Sequence, residues 1–396
     1  MLVTITKEEV INGLIKAASI IPVKAGAQYL RSVWIQAKQD NTITIMATDV
    51  NIEFTGTYAA KVEESGQIGI NGKALVELIR RLPGGEIVLR LDTETNNLIV
   101  EQGRRSYKLP VSDPVWFQVL PPFPEEGAVL WAGDYFQELI DRVGFCISDD
   151  QEVLSCLYMK AVENDKVNVC GLNGHQFAIT SFVNDEIAKK VGEEGLLLQK
   201  KYIMEIKKWL GEDEIYFNFT ERRFHIKNKD GSEHISVPRT VHIKNKDGSE
   251  HISVPRTLAA YPDYKLFINK LNAEDASKLT VNKKETMEAL DRILIFNNDN
   301  ERCTYFNLSA NTAVLSAQAQ ETGSASEELD LTYDGKIEQI AFPTKHLIEL
   351  LGHFQSADLE WTLTTAEGPC GITGSEDPEY MVLIMPMKIA QTSYYD

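Results

Sequence analysis

Residues Ile70–Leu91 read INGKALVELIRRLPGGEIVLRL, and the same 22-residue pattern occurs twice more in the chain. The second copy is LQKKYIMEIKKWLGEDEIYFNF at Leu198–Phe219, and the third is FPTKHLIELLGHFQSADLEWTL at Phe342–Leu363. Each copy places apolar residues at helical spacing and then turns through small or polar residues into an apolar strand. Self-similarity at a long period indicates one structural unit that is used several times. The chain is therefore predicted to contain three copies of one domain.

A second, shorter repeat lies between the second and third copies. HIKNKDGSEHISVPRT occupies His225–Thr240 and returns at His242–Thr257, a shift of 17 residues. The three blocks begin 128 and 144 residues apart, and the 17-residue shift accounts for the longer interval. The predicted domains are therefore residues 1–125, 126–268 and 269–396, with the duplication inside the second.

Only one hairpin is needed where the duplication occurs. One hypothesis pairs His225–Lys229 with His251–Pro255 and lets the intervening residues protrude. Because the two copies are identical, register is poorly specified, and exchange between them stays open.

Each predicted domain begins with a helix and continues with strands, a second helix and more strands. The leading helices are expected at Lys7–Ser19, Asp134–Val143 and Asn282–Leu294, with Asn282 as an N-cap. Alternation of apolar and polar residues predicts hairpins over Ser32–Phe54, Leu157–Ile179, Leu98–Leu109, Phe224–Val237 and Gly371–Met387. Loops are expected at Pro121–Glu126 and Asn269–Asn272. The pattern predicts an α+β fold with helices on one face of antiparallel sheets.

Composition sets limits on function. The chain has 396 residues, of which 43% are hydrophobic and 25% charged, and its formal net charge is −18. We expect no signal peptide and no membrane helix, and the five scattered cysteines predict reduced, mostly buried thiols in a cytoplasmic protein. The negative charge disfavours nucleic acid unless Lys and Arg are clustered on one surface. No phosphate-binding loop, metal-binding array or nucleophile motif is present, so an enzyme is not expected and no cofactor is predicted.

The triplicated unit and several short motifs resemble the bacterial sliding clamp family, the beta subunit of DNA polymerase III. The motifs are Asn173-Gly174-His175, Tyr261-Pro262-Asp263-Tyr264 and the terminal Met385-Pro386-Met387-Lys388-Ile389. The resemblance implies three domains of the DNA-clamp fold, with helices inside and sheets outside, in a head-to-tail homodimer that closes as a ring around duplex DNA. It implies a processivity factor that tethers the replicative polymerase and other DNA-processing proteins. A clamp-like paralogue that serves a dedicated repair or toxin partner is the alternative.

Basic residues of the shared helices are the candidate DNA contacts. The resemblance also marks Lys24, and the complete predicted set is Lys24, Lys73, Arg80, Arg81, Lys200, Lys201, Lys207, Lys208 and Lys345. A positive surface that faces phosphates without reading bases would explain a Lys in the first turn of each helix, where the helix dipole disfavours it. The alternative is an ordinary solvated helix face. Lys73 also matches a family position near the dimer seam.

The resemblance further implies a groove for short peptide motifs of the polymerase, the clamp loader and repair proteins. The matching residues are Leu154, Leu172, Gly174, His175, Phe177, Pro262, Leu266, Phe267, Pro369, Leu383, Met385, Pro386 and Met387. The alternative is that these apolar residues are core and His175 is a turn residue. Gln176 and Leu266 stand where the family commonly has basic residues, so acidic peptide termini are expected to bind less tightly.

The dimer seam is the third site that the resemblance implies. Tyr107 and Leu109 match an apolar pair of the first domain, and Ile295 and Phe296 would be their partners on the other chain. Core packing is the alternative for all four. Charge alone suggests that Glu321, Glu327 and Glu328 face basic residues across the seam.

Overall fold

The structure is a computed structural model that describes residues 1–22, 28–117, 119–149, 154–239, 261–273, 276–297, 302–319 and 322–389. Its helices are α1 (Lys7–Ile20), α2 (Gly72–Arg81), α3 (Gly133–Gly144), α4 (Asp185–Val191), α5 (Lys200–Trp209), α6 (Lys265–Leu271), α7 (Lys283–Leu294) and α8 (Thr344–Gly352). Short 3₁₀ turns occupy Gln28–Arg31 and Pro114–Trp116.

The strands of the first half of the chain are β1 (Leu2–Thr6), β2 (Ser32–Lys38), β3 (Thr42–Thr48), β4 (Glu53–Ala59), β5 (Lys61–Glu64), β6 (Gly66–Asn71), β7 (Glu86–Asp92), β8 (Asn97–Gln102), β9 (Arg105–Ser112), β10 (Val129–Ala132), β11 (Cys156–Ala161), β12 (Lys166–Leu172), β13 (Gln176–Val183) and β14 (Leu196–Gln199). Those of the second half are β15 (Glu214–Phe219), β16 (Arg223–Asn228), β17 (Glu233–Pro238), β18 (Ser277–Asn282), β19 (Cys303–Leu308), β20 (Thr312–Ala319), β21 (Gly323–Asp334), β22 (Gln339–Pro343), β23 (Asp358–Leu363), β24 (Cys370–Gly374) and β25 (Tyr380–Ile384).

Two compact units contain these elements. Unit 1 comprises the described residues of Met1–Gln137 and Lys201–Val241, and unit 2 those of Glu138–Lys200 and His242–Asp396. The sheet of unit 1 has the strand order β10-β15-β16-β17-β4-β3-β2-β6-β9-β8-β7-β1-β5. The sheet of unit 2 has the order β14-β11-β12-β13-β25-β24-β23-β18-β21-β20-β19-β22. The predicted division into three domains stays a prediction.

The predicted helices and hairpins have local causes that the structure makes visible. Helix α1 buries Val10, Leu14 and Ala17, which recur at helical spacing on one face. The Asn282 side chain accepts a hydrogen bond from the backbone N–H of Glu285 at 3.2 Å and so caps α7 as predicted. Every strand pair in both sheets is antiparallel, as expected. Asn41 turns the hairpin between β2 and β3 with φ 59°.

The loop predicted at Asn269–Asn272 is wrong, because α6 continues to Leu271. Leu271 is 7% exposed and packs against Gly371 of β24, where an added Cβ would lie 2.4 Å from its Cδ1. Tertiary burial of this leucine therefore extends the helix through Asn269, and Asn272 is its C-cap.

The predicted pairing across the tandem repeat is also wrong. Strands β16 and β17 both come from the first copy and the two residues before it, and they pair His225 with Ser236 and Lys227 with His234. Gly231 turns this hairpin with φ 75°, and a four-residue loop closes at a lower entropic cost than one of roughly twenty residues. The proposed partner strand His251–Pro255 lies outside the described residues.

A buried polar cluster attaches this hairpin to the rest of unit 1. Strand β17 pairs with β4, and the Glu233 side chain, which begins β17, is buried. Lys16 of α1 donates to Glu233 Oε2 at 2.6 Å, and Tyr58 of β4 donates to Glu233 Oε1 at 2.8 Å. Gly13 and Gly56 leave room for the Tyr58 ring, because a Cβ at Gly13 would lie 1.8 Å from its hydroxyl oxygen.

Candidate functional site

The predicted peptide-groove residues lie in unit 2, around one apolar cluster. Its buried members include Leu172, Phe177 and Leu383, and Leu154 and Phe267 pack against it half-buried. Leu266 and Met387 are instead 62% and 42% exposed. The predicted set therefore combines a packed floor with exposed apolar residues, so the core alternative holds for part of it only.

Aromatic pairs between strand residues and the chain segment before α6 form much of this floor. The rings of Tyr158 and Tyr261 stack with centroids 4.6 Å apart, and those of Phe177 and Tyr264 with centroids 5.4 Å apart. Asn168 donates to the Tyr264 hydroxyl at 2.9 Å, and burial raises the pKa of Tyr264 to about 12. The sequence prediction did not include Tyr261 and Tyr264 in the groove, although the Tyr-Pro-Asp-Tyr motif that contains them was the signal that could have identified them.

A tight turn connects β12 to β13 at the groove. The Asn173 side chain accepts from the backbone N–H groups of His175 at 3.0 Å and Gln176 at 2.8 Å. Gly174 has φ 87°, a conformation in which a Cβ is strained. The imidazole of His175 is exposed, and its backbone carbonyl accepts from the N–H of Met385 at 2.9 Å. The turn and the Met385–Met387 segment are therefore neighbours.

The remaining predicted groove residues differ in their exposure. Pro262 and Met385 are half-buried, whereas Pro369 and Pro386 are buried. Gln176 is 3% exposed, and its amide donates to the backbone carbonyl of His346 at 3.3 Å. Its amide therefore joins the turn to α8, and the expectation that acidic peptides bind less tightly stays a prediction.

The candidate DNA-binding residues occupy three helices. Lys73, Arg80 and Arg81 project from α2 and are exposed, and Glu77 pairs with both arginines at 3.3 and 3.1 Å. On α5, Lys201 is exposed with its amine 4.6 Å from the centroid of the Tyr202 ring. Lys208 is also exposed and pairs with Glu205 at 2.6 Å, while Lys207 is half-buried.

Two further lysines of the set differ in their surroundings. Lys345 of α8 is exposed and, like Lys73, has no ion-pair partner among the described residues. Lys200 is 23% exposed, pairs with Asp149 at 2.9 Å and donates to the carbonyl of Ile147 at 2.8 Å. The Lys200 amine therefore binds the segment that follows α3 to the start of α5. Lys24 lies outside the described residues.

The predicted seam residues are exposed or half-buried, and none is fully buried. Ile295 is 67% and Tyr107 37% exposed, and Leu109 and Phe296 are half-buried. Core packing is thus excluded for Ile295. Arg292 binds Glu327 within the same chain and lowers the pKa of that carboxyl.

Two strand edges that carry these residues lack a hydrogen-bonded neighbour in the described part of the chain. Residues 105–110 of β9 pair with β8 on one side only, and β6 contacts β9 at Val111 and Ser112. Residues 323–330 of β21 pair with β20 on one side only, and β18 takes over at residues 331–334. The β9 edge exposes Arg105 and Lys108, whereas the β21 edge exposes Glu328 and Asp330. Glu321 lies outside the described residues.

Comparisons with known proteins agree with this arrangement. The sequence profile of the DNA polymerase III beta subunit N-terminal domain matches residues 1–121, and that of the C-terminal domain matches residues 271–388. The chain belongs to the DNA polymerase III beta subunit family. The predicted family is therefore confirmed, and the beta subunit is a non-catalytic sliding clamp.

Sliding clamps of other bacteria align along nearly the whole chain. The beta sliding clamp of Caulobacter vibrioides is 23% identical over 98% of this chain and 100% of its own length. That of Haemophilus influenzae is 21% identical over 98% of this chain and 99% of its own length. The crystal structure of the Caulobacter crescentus DNA polymerase sliding clamp has a TM-score of 0.85 at 21% identity, covering 98% of this chain and 100% of that one. A Pseudomonas aeruginosa sliding clamp has a TM-score of 0.84 at 18% identity with the same coverage. The predicted α+β clamp fold is confirmed.

None of the helices in the described part of the chain is long and apolar enough to span a membrane.

Proposed function

We propose that this chain is a replicative sliding clamp that closes as a head-to-tail homodimer around duplex DNA in the cytoplasm and tethers the polymerase there. The observation that carries the proposal is the charge of α2 and α5. Helix α2 has three basic residues and one acidic residue, and α5 has four and one, in a chain of net charge −18. The acidic residues of these helices are bound to their own basic neighbours. A positive helical face in an acidic chain suits sequence-independent contact with phosphates.

The open edges of β9 and β21 support the homodimer. An unpaired strand edge is a template for pairing with another chain, and soluble proteins usually cover or charge it. Here one edge is basic and the other acidic, so each edge of one copy complements the other edge of a second copy. The contact is heterologous, and two such contacts close a two-copy ring. Ile295 supplies exposed apolar area three residues after Arg292, which binds Glu327 of the acidic edge, as an interface requires.

The groove of unit 2 supports binding of short peptide segments. Its floor is rigid because stacked aromatic rings and the Asn173 turn fix it, whereas Met385 and Met387 contribute flexible thioethers. Flexible thioethers adapt to several ligands. Partners of a clamp bind through such a groove while the ring raises their local concentration at the primer end. The alternative of a paralogue with one dedicated partner is not favoured by the family match.

Native mass spectrometry and plasmid retention test the proposal together. We expect a dimer of about twice 44.5 kDa that, once loaded by the cognate clamp loader, stays on circular DNA and leaves it after linearisation. Replacement of Ile295 by Arg should give monomer and abolish retention. The matched control is Val183→Arg, since Val183 is 73% exposed and lies outside the predicted seam. A wild-type monomer, or equal loss from circular and linear DNA, would refute the proposal.

A further inference from the structure

The turn at the peptide groove of unit 2 has a counterpart within unit 1. Strand β3 ends at Thr48, and the Asp49 carboxylate then accepts from the backbone N–H groups of Asn51 at 2.9 Å and Ile52 at 2.6 Å. Val50 has φ 84°, close to the 87° of Gly174. Residues 49–52 therefore build the same turn that residues 173–176 build beside the groove, at the same place in the repeated unit.

Aromatic residues also accompany the turn of unit 1. Tyr29 and Trp116 stack with ring centroids 5.6 Å apart and planes 5° apart, and Trp34 meets Phe117 edge-on at 5.5 Å. We call these four residues the aromatic shelf. In unit 1 these pairs join the region of Tyr29 and Trp34 to the rings that follow β9, and in unit 2 similar pairs join strands β11 and β13 to the tyrosines before α6. The indole of Trp116 is 56% exposed, so the shelf of unit 1 presents apolar area that nothing in the described chain covers.

A cavity of about 280 Å³ adjoins the shelf, and Ser32 borders both. The cavity is lined by Arg31, Ser32, Asn71, Pro110, Val111 and Ser112. Nε of Arg31 is buried without a hydrogen-bond partner, and the guanidinium forms no ion pair within the described residues. Asn71 caps α2, so the positive end of that helix dipole lies at the same cavity. A buried donor without an acceptor is costly, and an anionic ligand would remove that cost.

We propose that the aromatic shelf and the Arg31 cavity form a second peptide-docking site, for a segment that places an apolar side chain on Trp116 and an adjacent carboxylate on Arg31. The inference rests on the proposed function, because it assigns to unit 1 the role that the groove has in unit 2. The charge of the site selects the ligand. Its one unpaired guanidinium matches a single carboxylate. A nucleic-acid strand would bring several phosphates next to the carboxylates of Asp49 and Asp113, which border the site in sequence.

Fluorine NMR of the full-length protein labelled with 5-fluorotryptophan tests this site. The chain has five tryptophans, and single substitutions would assign their signals. The probe is N-acetyl-Leu-Glu-Leu-amide, and its matched control replaces the glutamate by glutamine. We expect the Trp116 signal to shift saturably with the first peptide and about tenfold more weakly with the second, since a charge-assisted hydrogen bond is lost. The Arg31→Gln variant should show the same loss for the acidic peptide and no difference between the peptides.

Three results would overturn the proposal. They are a Trp116 signal that does not respond to the acidic peptide, equal affinities for the two peptides, and a response to an eight-residue oligothymidylate in place of the peptide. In the Trp116→Ala variant, which changes an exposed side chain, the signal of Trp34 on the same shelf should no longer respond to the acidic peptide, even if Arg31→Gln proves unstable. Both variants should keep the dimer mass and the retention on circular DNA. If the wild-type protein fails in retention, the clamp proposal fails on its own, whatever the NMR result.

Discussion

Replacement of Glu233 by Ala should destabilise unit 1 strongly. The change removes the acceptor of two hydrogen bonds, from Lys16 at 2.6 Å and from Tyr58 at 2.8 Å. Removing one partner of a fully buried charged pair costs about 3–5 kcal/mol, and hydrogen bonds to charged groups contribute about 1.5–3 kcal/mol each. Because the Lys16 side chain is 32% exposed, water can solvate the amine that is left, which places the cost near the lower limit. We expect a loss of about 3 kcal/mol.

Thermal unfolding followed by circular dichroism measures this loss. For a unit of this size, about 3 kcal/mol corresponds to a fall in Tm of roughly 6–12 °C. The tandem repeat provides a matched control, because Glu250 stands at the same place in the second copy. Since Glu233 already occupies the site between Lys16 and Tyr58, Glu250→Ala should leave the Tm unchanged. If Glu250→Ala lowered the Tm as much as Glu233→Ala, the assignment of the first copy to the hairpin would be refuted.

Two further perturbations probe the same fold. Burial, followed by the charge of a neighbouring cation, lowers the pKa of His225 to about 4 and that of its hydrogen-bonded neighbour His234 to about 3. The histidines of the unfolded chain take up protons first, near pH 6.5, so their contribution to stability should be complete above that pH and decline as the pH falls towards 4. A Tm that is flat between pH 7 and 5 would contradict this. His225→Gln should reduce the slope of Tm against pH. Val50→Gly should raise stability by about 1 kcal/mol, and Gly174→Val should lower it by a similar or larger amount, because both positions have a positive φ and open space around the Cβ position. Urea unfolding of the two variants measures both changes, and the same sign for both would contradict the explanation.

Much of the fold could be predicted because local and long-range signals agree. The helices that begin the repeated units end within one or two residues of their predicted limits, since their apolar faces are regular. Helix α4 was missed, although Asn184 caps it and Gly192 follows it with φ 66°. Its seven residues are too few for periodicity to stand out, so only the capping signals could have revealed it.

The candidate sites were less accessible to sequence reasoning, because exposure is a property of the packed chain. The same apolar letter describes Leu172, which is 8% exposed, and Leu266, which is 62% exposed. Gln176 stands where the family commonly has a basic residue, and its burial was not visible in the sequence. The sequence also does not show which charged side chains form ion pairs. Lys200 and Lys201 are sequence neighbours, and only Lys200 pairs with Asp149. The two copies of the repeat are identical, so side-chain identity does not determine which copy forms the hairpin. Loop closure favours the first copy.

The positions of the native cysteines allow thiol labelling to measure local opening in one unit of the protein. All five cysteines are buried thiols outside any disulfide, and every one belongs to unit 2. Burial raises the pKa of Cys146, Cys170 and Cys370, so these groups are poor nucleophiles while the unit is closed. A maleimide pulse will therefore count openings of unit 2 and ignore those of unit 1. In the same protein, a cysteine introduced on the surface can carry a dye or cross-linker without removal of the native thiols.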